Sequence, residues 1–214
     1  MSLVTIRGQL GSGVSEVGRQ IADRLQANYV DRQIIAEVAV RLHREDREVI
    51  AKEMPPTSFL GRVADVLGTS YTFGEGVAGT YLPIWDIPLH DTRYLQALES
   101  VVRELARSQP LVILGRGSQF ILKGYPGVLH VLAVAPIEVR VMRVMQDLKL
   151  DQEAAKLEIL HYDNSLHEFF KRHFKAEPED PVHYDLVINT GRFSFQAVAS
   201  IVVDALSFKD QGLK

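Results

Sequence analysis

Gly8-Gln9-Leu10-Gly11-Ser12-Gly13-Val14-Ser15 is the stretch on which the fold turns. Before it, Leu3 to Arg7 is short, apolar and rich in β-branched residues, the pattern of a buried strand. After it, Val14, Val17, Gly18, Ile21, Ala22 and Leu25 recur at three- and four-residue steps, which is one face of a helix. The turn between them matches the phosphate-loop pattern G-x-x-x-x-G-K-[S/T] at Gly8, Gly13 and Ser15, and departs from it at the lysine, where Val14 stands. Glycines let backbone N–H groups turn inward around a phosphate, and the helix N-terminus behind them adds a partial positive charge. Gly8, Gly11, Ser12, Gly13, Val14 and Ser15 are therefore candidate cofactor-binding residues, with Ser15 as the candidate Mg2+ ligand. Val14 cannot supply the full charge that a lysine brings to the β- and γ-phosphates. The competing reading is a plain Gly-rich turn.

Outward from this unit, strands and helices alternate. Asn28 to Asp31 reads as a very short strand or a loop, and Ile34, Ile35, Val38, Ala39 and Leu42 continue on a helix. Residues 43–54 are highly charged, Pro55-Pro56 breaks the chain, and Ser58 to Leu67 predicts a short helix. Residues 68–90 read as a long mobile segment punctuated by Tyr71, Phe73, Tyr81 and Trp85, residues expected either to pack it to the core or to stack on a base. Leu95, Leu98, Val101, Val102 and Leu105 mark a helix that Pro110 stops. Leu111 to Leu114 and Val128 to Val134 are unbroken apolar runs, the pattern of strands buried on both faces. Ile137, Val141, Val144 and Leu148 predict a helix, and a longer helical region spans about 151–175. Tyr184 to Asn189 is the last strand, and Phe195, Val198, Ile201, Val202 and Ala205 mark the last helix. This order implies a three-layer α/β/α fold with a mostly five-stranded parallel sheet and right-handed crossovers. Ligands in such sheets bind beyond the carboxyl ends of the strands.

The bulk properties are those of a globular protein, with 46% apolar and 24% charged residues in 214. Cysteine is absent, which excludes disulfides and thiolate chemistry and fits a cytoplasmic location. A formal charge of -3 gives no global field for nucleic acid. No apolar run approaches the ~18 residues of a membrane span, and Arg7, Gly8, Gln9 and Gly11 interrupt any signal-peptide core. Neither nucleic acid nor membrane is an expected partner. His161, His167 and His173 are six residues apart and rotate off one helix face, so no metal site is expected from them.

Several segments together resemble the cytidylate kinase-like family, a divergent branch of the P-loop nucleoside monophosphate kinases. They are Gly11-Ser12-Gly13 with its helix, Tyr29-Val30-Asp31-Arg32-Gln33-Ile34-Ile35, Val112-Ile113-Leu114-Gly115-Arg116-Gly117, Ala135-Pro136-Ile137-Glu138-Val139-Arg140-Val141-Met142-Arg143, and Tyr184-Asp185-Leu186-Val187-Ile188-Asn189-Thr190. Their shared order covers nearly the whole chain. The resemblance implies a single P-loop kinase domain over 1–214, with 43–92 as an acceptor-binding insertion and 148–176 as a lid-like helical segment. It implies ATP and Mg2+ as cofactors and a nucleotide or other small-molecule acceptor, most readily a nucleoside monophosphate, with a homo-oligomer as a further option.

The resemblance also supplies four candidate catalytic residues, Asp31, Arg116, Arg140 and Arg143. Asp31 follows the second strand; it faces the reacting phosphates or caps the helix starting at Arg32. Arg116, between two glycines after a buried strand, is placed to grip an acceptor phosphate or to tie its loop by an ion pair. Arg140 and Arg143 lie on the helix face away from Ile137, Val141 and Val144, and in the family such arginines close on the donor phosphates; a solvated face with Arg143 paired to Asp147 is the alternative. The aspartates flanking the Gly-Arg of cytidylate kinases are Leu114 and Gly117 here, and the lid arginine three residues after Asp163 is Leu166. These departures, with Val14, point to the alternative of a nucleotide-binding regulatory protein without turnover.

Overall fold

Successive residues along the central strands pack to opposite sides. Leu3, Leu111, Ile113 and Val128 join one apolar cluster, and Val4, Val112, Leu129 and Val131 join another. A sheet that is apolar on both faces needs a helical layer on each. The computed structural model describes residues 2–31, 92–108 and 110–211. The helices expected at 34–42 and 58–67, and the segment 68–90 with Tyr71, Phe73, Tyr81 and Trp85, lie outside the described residues.

The described elements are β1 (Leu3–Gly8), α1 (Val14–Leu25), β2 (Asn28–Val30), α2 (Thr92–Ser108), β3 (Leu111–Leu114), α3 (Ser118–Ile121), β4 (Val128–Val134), α4 (Ile137–Leu148), α5 (Gln152–His173), a 3-10 turn at Pro181–His183, β5 (Leu186–Asn189) and α6 (Phe195–Gln211). The strands form a parallel sheet in the order β2-β3-β1-β4-β5. Ala97, Leu98, Val101, Val102 and Ala106 of α2 cover one face. Val17, Ile21 and Ala22 of α1, with Val198, Ala199, Val202 and Leu206 of α6, cover the other. This is the three-layer fold expected from the sequence. Asp151 starts α5 as an N-cap, its carboxylate accepting from the Ala154 N–H at 2.8 Å. The last strand is shorter than expected and starts at Leu186: Tyr184 N donates to Pro181 O in the preceding 3-10 turn at 3.0 Å, and Asp185 N makes the first bond to β4, to His130 O at 2.8 Å. Among the described residues, no helix is long and apolar enough to cross a membrane.

This order puts β1 in the middle, so the segments after β1, β2, β3, β4 and β5 all emerge at one end of the sheet. One buried polar pair interrupts the apolar faces. Thr5 and His130 are register partners on β1 and β4, with Thr5 Oγ1 and His130 Nδ1 2.7 Å apart. Burial pushes the His130 pKa down from 6.5, partly offset by Asp185, while Lys209 lowers it further. The folded chain therefore holds this proton less tightly than the unfolded chain, so the contribution to stability is full above about pH 6.5 and is lost as pH falls below it. The urea midpoint is expected to drop from about pH 7 to about pH 5, and His130→Gln to drop less over that interval. Equal slopes in the two proteins would contradict this assignment.

Candidate functional site

The loop after β1 is defined by where its peptide groups point. Gly11 has φ +80 and Gly13 φ +73, left-handed conformations that favour glycine. Each carbonyl from Gln9 to Gly13 accepts a hydrogen bond. Ser12 N donates to Gln9 O at 2.9 Å, and Val17 N to Gly13 O at 3.1 Å. Arg140 Nε donates to Leu10 O at 2.7 Å, Arg143 Nη1 to Gly11 O at 3.3 Å, and Thr190 Oγ1 to Ser12 O at 2.6 Å. Among the described residues, the N–H groups of Gly11 and Gly13 have no backbone acceptor, and α1 has no side-chain N-cap. The first-turn N–H groups of Val14 and Ser15 have no partner within the helix. The loop thus presents donors and hides acceptors, which is the polarity an anion needs.

Close packing enforces this shape. A Cβ on Gly11 would lie 2.6 Å from the Arg140 carbonyl oxygen, and one on Gly13 2.2 Å from the Phe195 ring. A Cβ on Gly8 would lie 2.3 Å from Ser12 Oγ and 2.5 Å from the Val14 Cβ, so Val14 rests on the strand end. Ser12 Oγ is buried and has no hydrogen-bond partner. Ser15 is half-buried at the start of α1 and its side chain makes no hydrogen bond among the described residues, so its hydroxyl is available to a cation held by bound phosphates.

Arg140 and Arg143 do not form the solvated face that is the alternative reading of this helix. Arg140 is 5% exposed, whereas Ile137, expected in the core, is 48% exposed. The reason is that α4 is covered on two sides, by the loop and by α5. Arg140 Nη2 lies 2.8 and 2.9 Å from the two carboxylate oxygens of Asp163 on α5. Burial pushes the Asp163 carboxyl up and Arg140 pulls it back. Arg140 therefore braces the loop from outside, its hydrogen bonds made to Leu10 O and the Asp163 carboxylate. Arg143 donates from Nη2 to Thr190 O at 2.9 Å and from Nη1 to Thr190 Oγ1 at 3.2 Å, and its guanidinium lies 4.8 Å from the Phe195 ring centroid. Asp147 exerts only a through-space pull on it.

Arg116 and Asp31 do come together, with Arg116 Nη2 3.4 Å from Asp31 Oδ1 at the ends of β3 and β2. Gly115, Arg116 and Gly117 all have positive φ, at 66, 60 and 69. For a non-glycine residue this conformation costs about 1–2 kcal/mol, and packing holds it, since a Cβ on Gly117 would lie 2.5 Å from the Phe174 ring. Arg116 Nε is buried without a partner. The Tyr162 hydroxyl of α5 lies in the field of Arg7, Arg116, Asp31 and Asp163, and burial raises its pKa. Leu166, on the same helix, is 6% exposed among Phe169 and Phe170.

Sequence reasoning missed three residues. Arg7, one residue before the end of β1, is 4% exposed, donating to Pro178 O at 2.6 Å and to Glu179 Oε1 at 3.0 Å, over the Phe170 ring. Thr190 and Phe195 anchor Arg143. A basic residue at the end of a buried strand was the one available signal, and it belonged to Arg7.

The sequence pattern of the cytidylate kinase-like family matches residues 3–192. A cytidylate kinase of Halobacterium salinarum is 25% identical over 204 residues, 95% of this chain and 88% of that protein. A uronate isomerase of Corynebacterium glutamicum is 33% identical over 98 residues, 46% of this chain, and the chain spans 19% of that protein's length. The crystal structure of an uncharacterized protein from Eubacterium ventriosum shares the fold, with a TM-score of 0.68 and 14% sequence identity over 97% of this chain and 99% of that one.

Replacing Arg140 by Ala leaves Asp163 half-buried without its partner and Leu10 O without its donor. The expected loss is about 2–4 kcal/mol of unfolding free energy, measured by urea denaturation. A loss under about 1 kcal/mol would mean that the brace is ornamental.

Proposed function

The chain belongs to the cytidylate kinase-like family, and we propose that it is an ATP-dependent phosphotransferase whose acceptor is a nucleoside monophosphate. The observation that carries this reading is the loop at 8–15, whose carbonyls from Gln9 to Gly13 are all occupied while, among the described residues, the N–H groups of Gly11 and Gly13 have no backbone acceptor. The loop holds the donor phosphates, and Ser15 ligates Mg2+, which neutralises charge on the phosphates when bound. Arg116, strained and paired only at 3.4 Å with Asp31, exchanges that partner for the acceptor phosphate. Asp31 then orients the acceptor. Within the lid-like segment 148–176, α5 brings Tyr162 over the cleft and limits water there. The acceptor-binding insertion proposed at 43–92 lies almost wholly outside the described residues.

A second reading, nucleotide binding without turnover, rests on Val14 and on Leu166, whose side chain is part of the aromatic core. A coupled ADP-release assay with Mg2+ and ATP separates the two. The panel holds nucleoside monophosphates, nucleosides and, because of the uronate isomerase similarity, hexuronates. Turnover on a nucleoside monophosphate is the expected result; calorimetric ATP binding with no turnover on any acceptor selects the second reading. Arg116→Ala is expected to raise the acceptor KM at least about tenfold with an unchanged melting temperature. An unaltered KM and kcat would remove Arg116 from the acceptor site.

A further inference from the structure

Four buried or half-buried arginines lie on elements at the carboxyl end of the sheet, and three carry their own carboxylate. Arg7 pairs with Glu179 at 3.0 Å, Arg116 with Asp31 at 3.4 Å and Arg140 with Asp163 at 2.8 Å. Each of these pairs is neutral as a unit. Arg143 differs. Its hydrogen-bond partners are the neutral oxygens of Gly11 and Thr190, its flat face rests on Phe195, and among the described residues no carboxylate lies within ion-pair distance. We infer that Arg143 supplies the positive charge that Val14 does not, and that it acts from behind the loop, through the Gly11 peptide, without touching the phosphates.

The physical argument has two parts. A cation on the oxygen of a peptide group polarises that group; the N–H of the Gly11–Ser12 peptide is already given to Gln9 O at 2.9 Å, so this polarisation tightens the turn that shapes the loop. The cation's own field also reaches an anion held on the inner side of the loop, and a half-buried guanidinium is screened less than a fully exposed one. Desolvation is the main influence on Arg143 itself and lowers its pKa, as expected of a cation without a counter-charge. Phe195 touches both Gly13 and Arg143, so one ring fixes the loop and the charge behind it together. Arg143 is thus a positioning residue with an electrostatic role, and this assignment rests on the phosphate-loop reading above.

The test is calorimetric titration with inorganic tripolyphosphate, a probe with no base, of the wild type, Arg143→Gln and Arg143→Lys, with thermal melts alongside. Gln keeps a donor for Gly11 O and loses the charge; Lys keeps the charge and loses the flat fork. Arg143→Gln is expected to weaken binding about tenfold or more, and Arg143→Lys to stay within about threefold of wild type. Equal losses in both variants, or no loss in Arg143→Gln, overturn the inference and leave the site reading standing. Should Arg143→Gln fail to fold, the exposed Asp147→Asn decides instead. Removing that nearby negative charge is expected to tighten binding about two- to threefold, and unchanged binding overturns the inference. A wild type that binds neither tripolyphosphate nor ATP overturns both this inference and the phosphate-loop reading.

Discussion

Five consecutive peptide carbonyls, from Gln9 to Gly13, are held by donors outside the phosphate loop's inner surface. With the oxygens fixed outward, the intervening N–H groups of Gly11 and Gly13 are left to the inner side. The donors come from the loop itself, from α1, from two arginines of α4 and from Thr190 after β5. The loop's shape is therefore a property of the assembled sheet end. Glycine at 11 is required because the Arg140 backbone presses against it, and glycine at 13 because Phe195 does. Binding competence needs α4 and the end of β5 in place as much as it needs the motif.

Holding the loop in this way buries charge. Arg7 and Arg140 are nearly inaccessible, and each is paired with a carboxylate from the region of α5, Glu179 and Asp163. Such pairs add little net stability over an apolar alternative, yet losing one partner is expensive. Their effect here is to fix geometry. Asp163 reaches the middle of the loop through Arg140, while His167, 2.9 Å from Glu179, connects to Arg7 at its start. Phe174, at the end of the same helix, presses on Gly117. One helix thus touches both the donor side and the acceptor side of the cleft, which gives the lid-like segment a mechanical link to each.

The layered fold was legible in the sequence because unbroken apolar runs such as Leu111–Leu114 and Val128–Val134 have no other stable use than strands covered on both faces. The loop was legible because glycine spacing between a strand and a helix has a direct backbone meaning. The fate of Arg140 was not legible. Periodicity assigns a residue to a helix face but does not say what covers that face, and α4 is covered twice. Leu166 read as a missing arginine; packing shows it as part of the core with Phe169 and Phe170. Arg7 was hidden because its partners, Pro178, Glu179 and Tyr184, lie at the far end of the chain. The four-residue helix Ser118–Ile121 is too short to show a period.

The central claim is that the inward N–H groups of this loop bind phosphate. Amide chemical shifts of the 15N-labelled chain, recorded while MgATP is added, test it most directly. Binding in the loop predicts large downfield proton shifts at Gly11, Gly13, Val14 and Ser15, with smaller changes across the buried strands. Unmoved amides at these four positions under saturating MgATP would contradict it.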